Sequence, residues 1–251
     1  MPILIFFVAQ WFLSLFCQSF LLHRYAAHGA FQMNKFWERF FYVLSYLTMG
    51  SSYLSPRTYA ILHRLHHAYA DQPEDPHSPL YSPNVFAMMW KTARIYSNID
   101  KGKMQVPEKF KARVPDWPAL DRLGDSWFSR IGWIVLYVAF YIFFAPSLWW
   151  YLLLPVQIVM SPVHGAIINW FAHKYGYVNN KVGDTSRNLF PLDLIMLGEG
   201  YHNNHHKYAS SINFGERWFE IDPVYYVIRL LAWLRVVKLK QGYRVRKVTE
   251  F

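Results

Sequence analysis

Charge is missing from two long stretches of this chain. Residues 1 to 22 contain no Asp, Glu, Lys or Arg, and neither do residues 131 to 172. As continuous helix the second stretch would run about 63 Å, enough for two bilayer crossings of about 20 residues each. The sequence therefore predicts a membrane helix over residues 2–22 and two more over 131–146 and 147–172, turning near Ala145-Pro146-Ser147. Cysteine is almost absent too. Cys17 stands alone, which excludes an intramolecular disulfide, and inside an apolar helix it reads as a small filler. The first 22 residues also lack a basic leader and a small-residue cleavage site, so the helix is expected to stay in place and not to be removed as a signal peptide. Low-complexity sequence is missing, and no repeat is found beyond the histidine motifs below. Residues 1–251 are accordingly expected to form a single domain.

The charge that is present is lopsided. The chain has 26 Lys and Arg against 16 Asp and Glu, and every basic residue falls within 24–130 or 174–247. By the positive-inside rule both segments are expected on the cytoplasmic side, with the N-terminus facing outward. That orientation accounts for the net charge of +10 without nucleic acid as a partner. Residues 63–130 and 173–222 are expected to build a cytoplasmic cap, with a long polar loop over 68–130 that includes Asp71-Gln-Pro-Glu-Asp75-Pro. Between Phe36 and Leu62 the chain is apolar but broken by Gly50-Ser51-Ser52 and Pro56, the pattern of a re-entrant or interfacial helix. Apolar and basic positions at helical spacing over 223–239 predict a helix lying in the headgroup layer, followed by a loose basic tail. The expected fold is an all-α membrane protein with about three transmembrane helices, further re-entrant or interfacial helices, and a cytoplasmic helical cap carrying a histidine-rich two-metal site.

Nine of the 11 histidines gather in four clusters: His23 and His28; His63, His66 and His67; His173; and His202, His205 and His206. His63-Arg-Leu-His-His67 and His202-Asn-Asn-His-His206 repeat one spacing about 140 residues apart. On a helix, positions i, i+3 and i+4 share a face, and adjacent positions diverge by about 100 degrees, which suits ligands for two different metals. His23 and His28, five apart, do not share an α-helical face, so the first helix is expected to end or bend between them. Nine neutral imidazoles would leave the metal charge uncompensated, and imidazole alone does not select zinc, copper, iron or nickel. His164 and His77 lack such partners. His164 reads as a packing residue or one lying behind the ligands, and His77, in Asp75-Pro-His77, as a residue behind the ligands or in a loop.

These motifs resemble those of the membrane-bound fatty acyl desaturases of the stearoyl-CoA and bacterial delta-9 type. His23-Arg-Tyr-Ala-Ala-His28 is similar to the family's first box. His63-Arg-Leu-His-His67 with Asp75-Pro-His77 is similar to the second, and Gly198-Glu-Gly-Tyr-His202-Asn-Asn-His-His206 to the third. Asn169-Trp-Phe-Ala-His173-Lys-Tyr-Gly176 resembles the extra ligand motif, and Trp218-Phe-Glu-Ile-Asp222-Pro the C-terminal pattern. The resemblance implies two iron ions held by the nine histidines, a water on one metal held by Asn169, and Asp75 and His77 supporting the ligands from behind. It further implies that O2 and two external electrons convert a saturated acyl chain to a cis-monoene and water. The chain would lie in a bent apolar tunnel beneath the metals, lined by aromatic residues such as Trp149, Trp150 and Trp170 unless these are lipid-facing anchors. Electrons would come from a separate donor of ferredoxin or cytochrome b5 type docked on the basic face, and membrane lipids would surround the helices of a bacterial inner-membrane protein. Animal members have two crossings before the first box, where residues 1–22 hold one. The other helix is dispensable, supplied by a neighbour, or outside the given N-terminus.

Two further function classes fit parts of the pattern. A lipid hydroxylase or ketolase uses similar boxes and differs in its product, which gains an oxygen where a desaturase product loses two hydrogens. A metal-binding transporter or sensor would string histidines across the bilayer, whereas here they gather near one face. The acyl carrier (coenzyme A, carrier protein or lipid), the double-bond position and the oligomeric state are left open by the sequence.

Overall fold

In the computed structural model, residues 1–240 are described. The basic tail expected to be loose, residues 241–251, lies outside them. The first helix, α1 (Pro2–Cys17), continues without a break as a π-helix over Gln18–Ala27, giving a 26-residue apolar stretch that is long enough to cross a membrane. It outruns the expected 2–22 because Arg24 points into protein and is fully buried. A short strand, β1 (Phe31–Met33), leads to α2 (Lys35–Met49), capped by Asn34 through the Trp37 amide. The expected break then appears as a tight turn at Gly50–Ser52. Gly50 has φ +54° there, and its missing Cβ leaves room for the Tyr137 hydroxyl. α3 (Pro56–Tyr69) starts with Ser55 as cap and Pro56 at its first position.

The cap contributes α4 (Val85–Asp100), α5 (Glu108–Lys111) and α6 (Pro118–Asp125). α7 (Trp127–Phe144) is the second helix long and apolar enough to cross a membrane. After the expected turn at 145–147, a 3-10 segment (Leu148–Leu153), α8 (Leu154–Ile158), α9 (Met160–Ala166) and a second π-turn (Ile167–Phe171) form a pair bent by 72°. The expected helix over 147–172 is thus a broken one, and counted as one span it brings the candidate crossings among the described residues to three. Residues 172–201 are irregular until α10 (His202–Lys207). α11 (Pro223–Trp233) follows the Asp222 cap.

The helix expected over 223–239 stops at Trp233. Arg235 turns the chain at φ +61°, and β2 (Val237–Leu239) pairs antiparallel with β1, with Phe31 opposite Leu239 and Met33 opposite Val237. The run Val236-Val-Lys-Leu239 carries a two-residue alternation as well as the helical one, and β-branched residues favour the strand. The expected all-α fold therefore includes this one small ribbon.

Exposed apolar residues gather in stripes along three helices. On α2, Phe36, Phe40, Val43 and Leu47 are exposed, a stripe at steps of four, three and four. Tyr226, Leu230 and Trp233 make the same pattern on α11, and α7 exposes Ile131, Val135, Ile142 and Phe143. At 15 residues α2 is too short to cross, in keeping with an interfacial element. Beneath them, Phe20, Leu21, Phe31, Phe41, Tyr42 and Ile228 form the main core, which joins the π-segment of α1 to α2 and α11.

Candidate metal centre

The π-segment solves the five-residue spacing of His23 and His28 by widening the helix instead of ending or bending it. The His28 amide donates to the His23 carbonyl at 3.1 Å, a five-residue step, and the two imidazoles come to rest 5.0 Å apart on one side. α3 and α10 supply three histidines each, and His173 follows the second π-turn. All nine converge. The nitrogens of His23, His28, His63, His67 and His205 form one group; those of His66, His173, His202 and His206 form another, each with its atoms within 4.8 Å. As the 100-degree divergence requires, the adjacent pairs split, His66 from His67 and His205 from His206.

The spacing inside each group is that of ligands around an ion. In the first group, Nε2 of His23 lies 3.0 Å from that of His205, and Nε2 of His63 lies 2.9 Å from those of His28 and His67. In the second, His206 is 3.2 Å from His66 and 3.0 Å from His202, and His173 is 3.1 Å from His202. Two nitrogens at right angles on an ion about 2.1 Å away would lie about 3.0 Å apart.

The protonation pattern is equally telling. The His66 Nδ1–H donates to both oxygens of Asp75 at 3.0 Å, and the His206 Nδ1–H to Asp184 at 2.7 Å. Both Nε2 atoms are then bare lone pairs facing each other, an arrangement that a shared cation reconciles. Burial first, and the neighbouring imidazoles second, hold His63, His67, His202, His205 and His206 well below the ordinary histidine range, so they stay neutral as ligands must.

Four carboxylates stand behind the rings. Besides Asp75 and Asp184, Glu199 accepts from His23 Nδ1 at 2.5 Å, and Asp71 lies 3.5 Å from His173 Nδ1 while also binding Thr185. Burial alone would raise Asp75 and Glu199, but His66 in one case and His23 with Arg24 in the other outweigh it and hold both at about 2. The nine imidazoles are therefore not without counter-groups, because four carboxylates lie one ring away. Asp71, Asp184 and Glu199 were not picked out from the sequence. Glu199 sat within a motif already quoted, yet no spacing rule distinguishes an acid that reaches a histidine 176 positions away.

A cavity of about 620 Å³ opens beneath the centre. His23, His63, His202 and Glu199 face it from the metal side, and Leu15, Leu54, Met89, Ile134 and Ile158 line its apolar walls. Asn169 lines it from the second π-turn, and so do both remaining histidines. His77 lies 4.2 Å from His66 ring to ring, with both nitrogens buried and unpartnered, whereas His164 binds Gln18. Trp149, Trp150 and Trp170 are not among the lining residues. Trp149 is 79% exposed and the Trp170 ring takes the Lys174 ammonium; Tyr59, Tyr96 and Trp127 line the wall instead.

The profile of the fatty acid desaturase family matches residues 1–232. The chain belongs to that family. It is 31% identical over 223 residues to a delta-9 desaturase-like 5 protein of Arabidopsis thaliana, covering 86% of this chain and 69% of the relative. To an sn-1 stearoyl-lipid 9-desaturase of Synechocystis sp. it is 30% identical over 221 residues, covering 86% and 64%. An acyl-CoA 5-desaturase of Anemone leveillei is 27% identical over 237 residues, covering 90% and 68%. The chain thus spans about two thirds of the length of these relatives. Membership joins this chain to a family of oxidoreductases; two or three of its helices are long and apolar enough to cross a membrane, and its histidine groups could hold metal.

Proposed function

We propose that this chain is an O2-dependent fatty acyl desaturase of delta-9 type that introduces a cis double bond into a saturated acyl chain by means of two iron ions. The observation that carries the reading is the pair of histidine groups at ligand spacing, opening onto one long apolar cavity. His23, His28, His63, His67 and His205 would hold one ion. His66, His173, His202 and His206 would hold the other, and Asn169, on the cavity wall, would orient a metal-bound water. When bound, the two irons supply the oxidising chemistry that removes two hydrogens from an unactivated methylene pair.

The chain's own residues do the rest. Asp71, Asp75, Asp184 and Glu199 fix the tautomers of the rings they touch and balance the charge. Leu15, Leu54 and Ile158 hold the alkyl chain away from water, and Tyr59, 5.7 Å from the His63 ring, limits how it approaches the centre. Lys101, on the cavity wall, would meet the head group, whether coenzyme A, a carrier protein or a lipid, while Arg130 beside it is held by Asp125 and the Ser51 and Tyr53 carbonyls. The centre would face the cytoplasm, where a separate ferredoxin-type or cytochrome b5-type donor delivers electrons to the basic surface.

Purified protein supplied with iron, O2 and a surrogate reductase tests the reading, with one acyl group presented both as the CoA thioester and as the lipid. The expected product has lost one hydrogen from each of two adjacent carbons, at a single place along the chain. A product that has gained an oxygen would establish a hydroxylase instead, and no product from these two carriers or from the acyl carrier protein thioester would refute the assignment.

A further inference from the structure

His164 carries a polar demand that its protein surroundings do not meet. It lies on α9, is 2% exposed and lines the cavity. The Gln18 side-chain nitrogen is 2.8 Å from its Nδ1. An amide nitrogen only donates, so Nδ1 accepts and the ring proton sits on Nε2. That N–H is buried and unpartnered. Trp11 covers the ring edge to face, with centroids 4.4 Å apart.

Nearby polar groups of the same wall are satisfied from within. Ser51 donates to the Ile158 carbonyl at 2.7 Å, and Ser52 and Ser161 share a hydrogen bond of 3.0 Å. Among the described lining residues, unpartnered buried side-chain nitrogens occur on His77 and His164. His77 packs on His66 and belongs to the centre. His164 does not: its neighbours are Gln18 and Trp11, and it lies on α9 before the second π-turn, nine positions ahead of His173 and nearer the α8–α9 bend. An alkyl chain offers this N–H nothing, and an unpaired donor is costly to bury.

We propose that His164 is a binding residue, a fixed hydrogen-bond donor that holds an acceptor oxygen inside the cavity. The oxygen is either carried on the occupant chain, beyond the bond that reacts, or belongs to a water wedged beside that chain. This rests on the reading of the cavity as the acyl channel.

The test compares octadecanoic acid with its mono-oxo analogues, the carbonyl stepped along the distal half, by displacement of a fluorescent fatty acid from the purified full-length protein. A structure determined with octadecanoic acid bound accompanies it. If the oxygen belongs to the chain, one oxo position binds about fivefold to tenfold tighter than the plain acid. His164→Leu abolishes that preference and His164→Gln, which keeps a donor, retains part of it. If the oxygen is water, no oxo position is preferred and an ordered water lies at hydrogen-bond distance from Nε2. Equal binding of all probes with no such water overturns the proposal and leaves the desaturase reading intact. Failure of every probe to bind contradicts the acyl channel instead; a structure of the protein without fatty acid then decides His164, an ordered water on Nε2 supporting the donor role and its absence overturning it.

Discussion

The His-x-x-His-His pattern occurs twice, and the molecule holds the two copies by different means. The first lies on α3, a 14-residue helix with a proper cap, packed through Ile61, Leu62 and Leu65 against a cluster with Ile99 and Phe110. Its second residue, Arg64, reaches away from the centre to the carbonyls of Ala26, Ala27, Phe110 and Ala112. The second copy lies on α10, only six residues long, far below the length at which a helix sustains itself. Its two intervening residues are Asn203 and Asn204, both buried. Asn203 binds the Asn179 and Asn180 amides and two carbonyls; Asn204 binds Glu220, Asn188, Asn179 and the Phe214 carbonyl. One spacing of ligands is thus anchored by apolar packing together with one arginine in the first place, and by a satisfied network of buried asparagines in the other. A ligand motif fixes which residues face the metal, while the residues between them report what holds the helix.

The most severe way to break this comparison is to remove one ligand of the same group from each copy. His67→Ala and His205→Ala should each abolish turnover while the protein still inserts into membranes, as read by activity assay and membrane fractionation. Near-wild-type activity in either would take that residue out of the centre.

The anchors themselves come next. Leu65→Ala should cost about 3 kcal/mol through loss of packing, seen as a lower melting temperature with metal content preserved. Asn204→Ala should cost a similar ~3 kcal/mol by leaving buried partners unpaired, but its damage should be local, loosening α10 and lowering metal content in the group to which His202 and His206 belong. Equal loss of metal in both variants would show that the copies are not held separately.

Smaller effects are expected at the carboxylates that support one ring from each copy. Asp75→Asn and Asp184→Asn should weaken metal binding by about 10- to 100-fold, measured by competition with a chelator. Asp75 is fully buried and receives two hydrogen bonds from His66, so its variant should be the worse of the two.

The smallest difference is in pH response. Burial pushes the Asp193 carboxyl, which accepts from the Met196 and Gly200 amides just before α10, up to about 6. Its contribution to stability is present below its ordinary value of 3.8 and is lost as pH rises through about 6. Asp75, held at about 2 behind α3, behaves in the opposite sense, contributing above 3.8 and failing as pH falls toward 2. Hydrogen exchange should therefore show the loop before α10 loosening as pH rises toward neutrality and α3 loosening only in acid. Loss of protection in both regions over the same pH window would contradict the separation.

Much of this centre was legible in the sequence because histidine spacing and charge-free runs have direct geometric consequences. The four clusters, the split of adjacent histidines between two groups and the turn at 145–147 follow from helical periodicity and bilayer length. What was not legible depended on distant contacts or on departures from regular helix. The π-turns at 18–27 and 167–171 have no residue signature, although the five-residue gap between His23 and His28 already required something other than α-helix. Glu199, Asp71 and Asp184 acquire their roles from chain segments far away in sequence. Arg24 looked like the first cytoplasmic charge. It is instead fully buried against Asp222 at 2.7 Å and over the Phe214 ring, a contact that ties α1 to the cap of α11. The end of α11 was misplaced because 236–239 satisfies two periodicities at once.

Metal analysis with X-ray absorption on purified, active protein tests the two-ion centre most directly. The account predicts two iron ions per chain in a nitrogen-dominated environment at about 2.1 Å, with nitrogen scattering reduced in His67→Ala and His205→Ala. Full turnover by protein that contains no transition metal would contradict it.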